Sequence, residues 1–226
     1  MRRWGWIAVF PMLVLSACQP AQTGPVPAPS AQSASVSQSG DLLPEPSPYN
    51  VRQFKPASDY VHQPTGLVFP KQAAGLPMVG VAEFTVARDD VAADYMDSAR
   101  HVHITAYVFP VWNMADRRIT MADVPATCRN AYEGAKSNIV RFAVNPRLVE
   151  ERDLSGPRFG DAIYRRVAIY EADGNDKNDM GSVRTALYYH CGVNKVWIVQ
   201  YRTSYPQGTD VGTIIDDAMN AVPTKS

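Results

Sequence analysis

Apolar and polar positions divide this chain into three stretches. Behind the basic Met1-Arg2-Arg3, residues Trp4 to Leu15 form an uncharged apolar run broken only by Gly5 and Pro11. A bilayer span needs roughly 20 residues, so a run of this length predicts a secretory signal segment instead. Residues 19–48 show no apolar period. They hold Pro20, Pro25, Pro27, Pro29, Pro44, Pro46 and Pro48 among Ala, Gln and Ser, with Asp41 and Glu45 as the charges. Such a segment cannot bury enough surface to offset its ordering entropy, which predicts a disordered, partly polyproline-II tether. Periodic patterning begins near residue 50 and continues to the end.

Within residues 50–226 the periods predict one α+β domain. Leu67-Val68-Phe69 reads as a short strand. Met78 to Arg88 reads as a longer one, with Val79, Val81, Phe84 and Val86 as core candidates. His101 to Val111 alternates, placing Val102, Ile104, Ala106 and Val108 on one face. From Ala122 to Phe142 the step is three or four, through Val124, Cys128, Ala131, Ala135, Ile139 and Phe142, which predicts a helix. Asp123 before Pro125 suits its start and Asn145-Pro146 its end. Arg147 to Asp153 and Gly160 to Ala172 read as strands. Ser182 to His190 and Lys195 to Tyr205 read as a hairpin about Cys191-Gly192-Val193-Asn194. Thr209 is the predicted N-cap of a last helix that buries Val211, Ile214, Ile215, Ala218 and Val222. Strand–helix alternation is missing, so the expected fold is an antiparallel sheet with two main helices packed on it, behind a disordered tether.

Composition narrows the function classes. The 22 basic residues equal the 22 acidic ones, whereas nucleic-acid binders show a basic excess or stripe. Three cysteines are too few for a four-Cys zinc or iron–sulfur site.

The apolar run ends in Leu15-Ser16-Ala17-Cys18. This tetrad resembles the lipobox of bacterial lipoproteins: a branched apolar residue, two small residues and a cysteine that becomes acylated. The resemblance covers residues 1–18 and implies three regions. These are a signal peptide over 1–17, a lipidated Cys18 with its tether over 18–49, and a single α+β periplasmic domain over 50–226. Gln19 after the cysteine, where Asp would favour the inner membrane, implies an outer-membrane destination with the domain facing the periplasm. The inner membrane and the cell surface stay open as alternatives. Two acyl chains suffice for stable anchoring. Cleavage would leave 20 basic and 22 acidic residues, too small an imbalance to steer a partner.

An exported domain would fold in an oxidising compartment, where Cys128 and Cys191 pair more often than not; two free thiols are the alternative. His101 and His103, at i and i+2, could offer two metal ligands from one strand face, with His190 or Asp97 completing a site. Two surface imidazoles are the plainer expectation. Asp173, Asn175, Asp176, Asn178 and Asp179 invite a calcium reading, but the spacing fails the EF-hand pattern, leaving a hairpin loop. No nucleophile elbow, phosphate loop, dinucleotide fingerprint or His-Glu-x-x-His motif occurs, and no catalytic residue or cofactor is expected.

Pro64-Thr65-Gly66-Leu67-Val68-Phe69-Pro70, Tyr107-Val108-Phe109-Pro110 and Tyr205-Pro206 resemble motifs of uncharacterised bacterial periplasmic domains. The layout is similar to the PsbP-like and Mog1-like α/β sandwiches. Neither likeness brings catalytic residues; both imply a binding or assembly module. The expected function is therefore a lipid-anchored envelope lipoprotein whose domain binds or stabilises another envelope component, with the membrane and an envelope protein as partners. Two rivals are a hydrolase or metal-dependent enzyme using His101 and His103, and a small-ligand carrier with a crevice lined by Tyr107, Tyr164, Tyr188 and Trp197.

Overall fold

The computed structural model describes residues 49–111, 119–155, 161–173, 181–222 and 224–225. The signal segment, Cys18 and the tether up to residue 48 lie outside the described residues, as do residues 174–180 of the acidic loop.

The strands are β1 (Tyr49–Phe54), β2 (Tyr60–His62), β3 (Leu67–Phe69), β4 (Gln72–Ala73), β5 (Leu76–Thr85), β6 (Val91–Asp97), β7 (Val102–Pro110), β8 (Arg147–Asp153), β9 (Tyr164–Ala172), β10 (Val183–Val193), β11 (Trp197–Pro206) and β12 (Thr224–Lys225). Helix α1 spans Val124–Phe142 and α2 spans Ile214–Ala221. The main sheet runs β1-β5-β6-β7-β11-β10-β9-β8, with β4 added to β5; β12, β3 and β2 form a second, small sheet. Every pairing is antiparallel. Two meanders, β5-β6-β7 and β8-β9-β10-β11, meet at the β7–β11 ladder. The chain crosses from one meander to the far edge of the other through α1.

Side-chain alternation divides the core in two. Val102, Ile104, Ala106 and Val108 of β7 are all buried, as the sequence period predicts. They share a cluster with Val91, Ala93 and Tyr95 of β6, Val199 and Tyr201 of β11, and Ile215, Ala218 and Met219 of α2. A second cluster joins Val124, Cys128, Tyr132 and Ile139 of α1 to Ala168 and Tyr170 of β9, Leu187, Tyr189 and Cys191 of β10, and Ile198 of β11. Neighbours on one strand serve opposite clusters: Ile198 belongs to the second and Val199 to the first.

Several elements differ from the sequence expectation. β6 was not expected, because Ala92, Ala93, Asp94 and Asp97 dilute its β-formers; it lies inside the sheet between β5 and β7, where small residues fit. Val79 and Val86 are exposed. A register shift between Met78 and Gly80 turns Val79 outward, and Val86 lies beyond the end of β5. Phe142 ends α1 and is exposed, whereas Tyr132 is fully buried in its place. Thr209 is not the cap of α2. Gly212 takes φ +46, its N–H donates to Asp210 Oδ1 at 2.9 Å, and the helix starts after Thr213. Pro110 closes β7 at its end, where its missing N–H costs no ladder bond.

The β10–β11 hairpin also turns later than expected. Cys191 and Val193 both lie within β10, and the register shifts between them at Gly192. That bulge inserts one residue, so Cys191 joins the α1 cluster while Val193 joins the other. Gly192 has φ +80, and a Cβ there would lie 2.8 Å from Ile163 Cγ1. Ile163 is half exposed, but its Cβ also lies 3.0 Å away, so its segment must shift as well as the left-handed backbone being strained. Gly192→Ala should lower unfolding free energy by about 1–2 kcal/mol, read as a lower denaturant midpoint with an unchanged slope.

Candidate interaction surface

Strand β8 forms one edge of the main sheet, and β1 forms the other. β8 is held to α1 by polar side chains. Lys136 Nζ donates to Glu151 at 3.0 and 2.9 Å, and Tyr132 Oη donates to the same carboxylate at 3.0 Å. Arg166 of β9 donates to Glu151 at 3.2 Å and to Asp153 at 3.0 Å. The Lys136 ammonium also sits 5.2 Å from the centre of the Tyr132 ring. Burial alone would push the Glu151 carboxyl up; the bonds from Lys136, Tyr132 and Arg166 outweigh it and hold the group below the usual range. Burial, with the bond to Glu151, pushes the Tyr132 phenol well above its usual value. At neutral pH Glu151 is therefore ionised opposite the Lys136 and Arg166 cations, and the Tyr132 phenol is neutral. These bonds tie β8 to α1 and β9.

Four apolar side chains of these two elements are exposed: Val140 and Phe142 of α1, and Leu148 and Val149 of β8, each between 37% and 46% exposed. Val140 follows Lys136 by one helical turn. Leu148 pairs with Tyr170 and Glu151 with Ala168, so both face the α1 side of the sheet. Val140 and Leu148 thus lie toward the short α1–β8 connection. The register of β8 shifts between Leu148 and Glu150, leaving Val149 unpaired. A bulge and a strand rich in charge discourage indiscriminate strand addition at an edge. Apolar side chains, more than an open ladder, are what this edge exposes.

The residues singled out from sequence fall elsewhere. His101 lies in the turn before β7 with φ +55, so it does not share a strand face with His103. His103 Nε2 lies 3.2 Å from Asp94 Oδ1, an oxygen that also accepts from Thr105 Oγ1 at 2.7 Å. Asp97 is taken up by the β6–β7 turn, accepting from the N–H groups of Ala99 and Arg100 and from the Arg100 guanidinium. His190 is buried in β10 against the Tyr201 ring. Among the described residues no three His, Cys, Asp or Glu side chains are grouped to hold a metal ion.

The supposed crevice does not form either. Tyr164 packs with Tyr132 and Tyr189 in the α1 cluster, whereas Tyr188 and Trp197 pack in the other. Two open clefts of about 490 and 530 Å³ exist, the first lined by Arg184, Tyr205 and residues 207–212, the second by residues 54–61 with Gln63, Glu83 and Arg88. Both have mixed linings, and neither joins the four tyrosine and tryptophan positions. Cys128 and Cys191 form a disulfide with their Cα atoms 5.7 Å apart. No described helix is long and apolar enough to cross a membrane.

Burial, with Asp89 beside it, pushes the Asp90 carboxyl up to about 7. The folded protein then holds this proton from about pH 4 to pH 7 while the unfolded chain has lost it, so the group removes stability as pH rises through that window. His62 works the other way: burial pushes it down to about 4, which removes stability as pH falls below about 6.5. Asp90→Asn should raise the melting temperature at pH 8 and change it much less at pH 4. An equal shift at both pH values would contradict the assignment.

No protein-family model, no curated protein and no solved structure matches this chain.

Proposed function

We propose that this chain is a lipid-anchored lipoprotein of the bacterial outer membrane whose domain binds another envelope component. The anchor reading rests on Leu15-Ser16-Ala17-Cys18 behind a short basic and apolar leader. The binding reading is carried by one observation, the exposure of the apolar side chains Val140, Phe142, Leu148 and Val149 on α1 and the β8 edge it is bonded to. Grouped apolar side chains beside charged ones are the usual make-up of a protein-binding patch. In this reading the domain is layered, with α1 covering one face of the sheet, α2 and the small sheet covering the other, and residues 18–48 acting as the tether. Thirty tether residues reach roughly 30 Å as a coil, enough to let the β8 edge meet a partner in the periplasm.

Two measurements test it. Cys18→Ser should abolish incorporation of labelled fatty acid and release the domain from the membrane fraction; unchanged labelling would sink the anchor. A photo-crosslinking residue placed at Val140 or Val149 should give a discrete adduct with a second envelope protein. The same residue on the exposed β10–β11 turn at Lys195 should give none. Equal patterns at all three positions would remove the β8 edge from consideration.

A further inference from the structure

The edge opposite β8 carries a second exposed apolar group. Tyr49 is 73% exposed, Val86 60% and Val51 45%. They gather at one corner because Tyr49 pairs with Thr85, the residue before Val86, and its ring stacks on Phe84 at 6.3 Å. A folded domain gains nothing from leaving a tyrosine and two valines in water together. This corner is also where the described chain begins, and Cys18 lies 31 residues upstream.

We propose that the Tyr49–Val51–Val86 corner rests in the interfacial layer of a phospholipid bilayer, so that the anchored domain docks on its own membrane with the β8 edge pointing away. This rests on the anchor reading above. Tyrosine prefers the membrane–water interface, where its ring is apolar and its hydroxyl stays wet. Three side chains would bind a bilayer too weakly for a free domain. A tether of about 30 residues changes this, because it holds the corner within roughly 30 Å of the lipid surface and raises its effective concentration. Charge is not the attraction. Arg52 and Arg88 both approach the buried Glu83, at 3.7 and 3.6 Å, and Asp89 and Asp90 follow in the same turn. The basic and acidic groups of the corner roughly balance, so the contact depends on apolar surface.

The occupant fits the placement. The lipid surface must lie within tether length of Tyr49, whereas the β8 edge lies seven strand spacings away across the sheet, or about 33 Å. An anchored domain docked by one edge therefore presents the other to the periplasm.

The test uses the full lipidated chain reconstituted into zwitterionic vesicles that contain lipid brominated high on the acyl chain. Val86→Trp should lose most of the added tryptophan emission to bromine, and Val149→Trp should lose almost none. Adding Tyr49→Ser and Val51→Ser to Val86→Trp should restore the emission. Quenching should persist at about 0.5 M salt, where charge contacts are screened. Equal quenching at the two positions, or its loss in salt, would overturn the apolar docking. A blue shift of Val86→Trp in lipid-free protein that depends on protein concentration would mean that the corner pairs with a second copy, and would also overturn it. Intact mass of the same sample separates the two readings: acylated protein without quenching removes only the docked corner, and unacylated protein removes the anchor and the docking with it.

Discussion

Reduction of the Cys128–Cys191 disulfide should lower the unfolding free energy by about 4 kcal/mol. The bond spans 63 residues of sequence, and closing a loop of that length restricts the unfolded chain by about this amount in the chain-entropy account. Both cysteines are fully buried, so reductant should act slowly on the folded domain and quickly once it opens. Paired Cys128→Ala and Cys191→Ala substitutions should reproduce most of the loss. The single substitutions should each lose at least as much, because each strands a thiol in the interior. Chemical denaturation of the oxidised and reduced domain checks the size, and thiol titration of unfolded, unreduced protein should find no free thiol in residues 49–226. A loss below about 1 kcal/mol would mean that the reduced chain keeps the loop closed by other contacts.

Tyr132→Ala should cost a similar amount, about 3–5 kcal/mol. The Tyr132 ring is fully buried, 5.5 Å from Tyr189 and 5.7 Å from Tyr164, and its hydroxyl donates to Glu151. Truncation removes the aromatic contacts and leaves Lys136 without the ring beneath it. Tyr132→Phe separates the two parts: it keeps the ring and should cost about 1 kcal/mol, the usual net worth of one hydrogen bond. Denaturant unfolding of the two variants gives the ratio directly. Equal losses would place the energy in the Glu151 network instead of the ring.

The domain was legible in sequence where patterning was strong. The alternating face of β7, the helix over residues 124–142, the strand Arg147–Asp153 and the late hairpin follow from periods and turn chemistry. β1 was not legible because Asn50, Arg52 and Gln53 break up its apolar residues and nearly all of it is exposed, nor β6, because a strand buried between two others can be built from Ala and Asp. Tyr132 escaped notice because it replaces the predicted pair Ala131 and Ala135 as the deepest contact; one residue of helical phase decides between them. The polar cluster between α1, β8 and β9 was hidden for a different reason. Lys136, Glu151 and Arg166 are ordinary surface charges in sequence, and only the crossing of α1 to the far edge brings them together. The His101–His103 pair failed because the strand starts one residue later than the alternation suggests, which leaves His101 in the turn.

The meeting of the two meanders at one ladder has a consequence for the order of folding. Thr105 and Arg202 face each other across β7 and β11, although nearly a hundred residues separate them in the chain. The contacts of α1 with β9 and β10, and the cysteines themselves, all lie within the later segment. The disulfide can therefore close while the earlier meander is still unattached, and the remaining barrier is the entropy of bringing two half-sheets into register along one seam. Thiol trapping during refolding should find the bond complete before the amides of β7 and β11 gain protection from exchange. An exported chain would then carry its covalent crosslink as a finished subassembly and make its final sheet in a single late joining event.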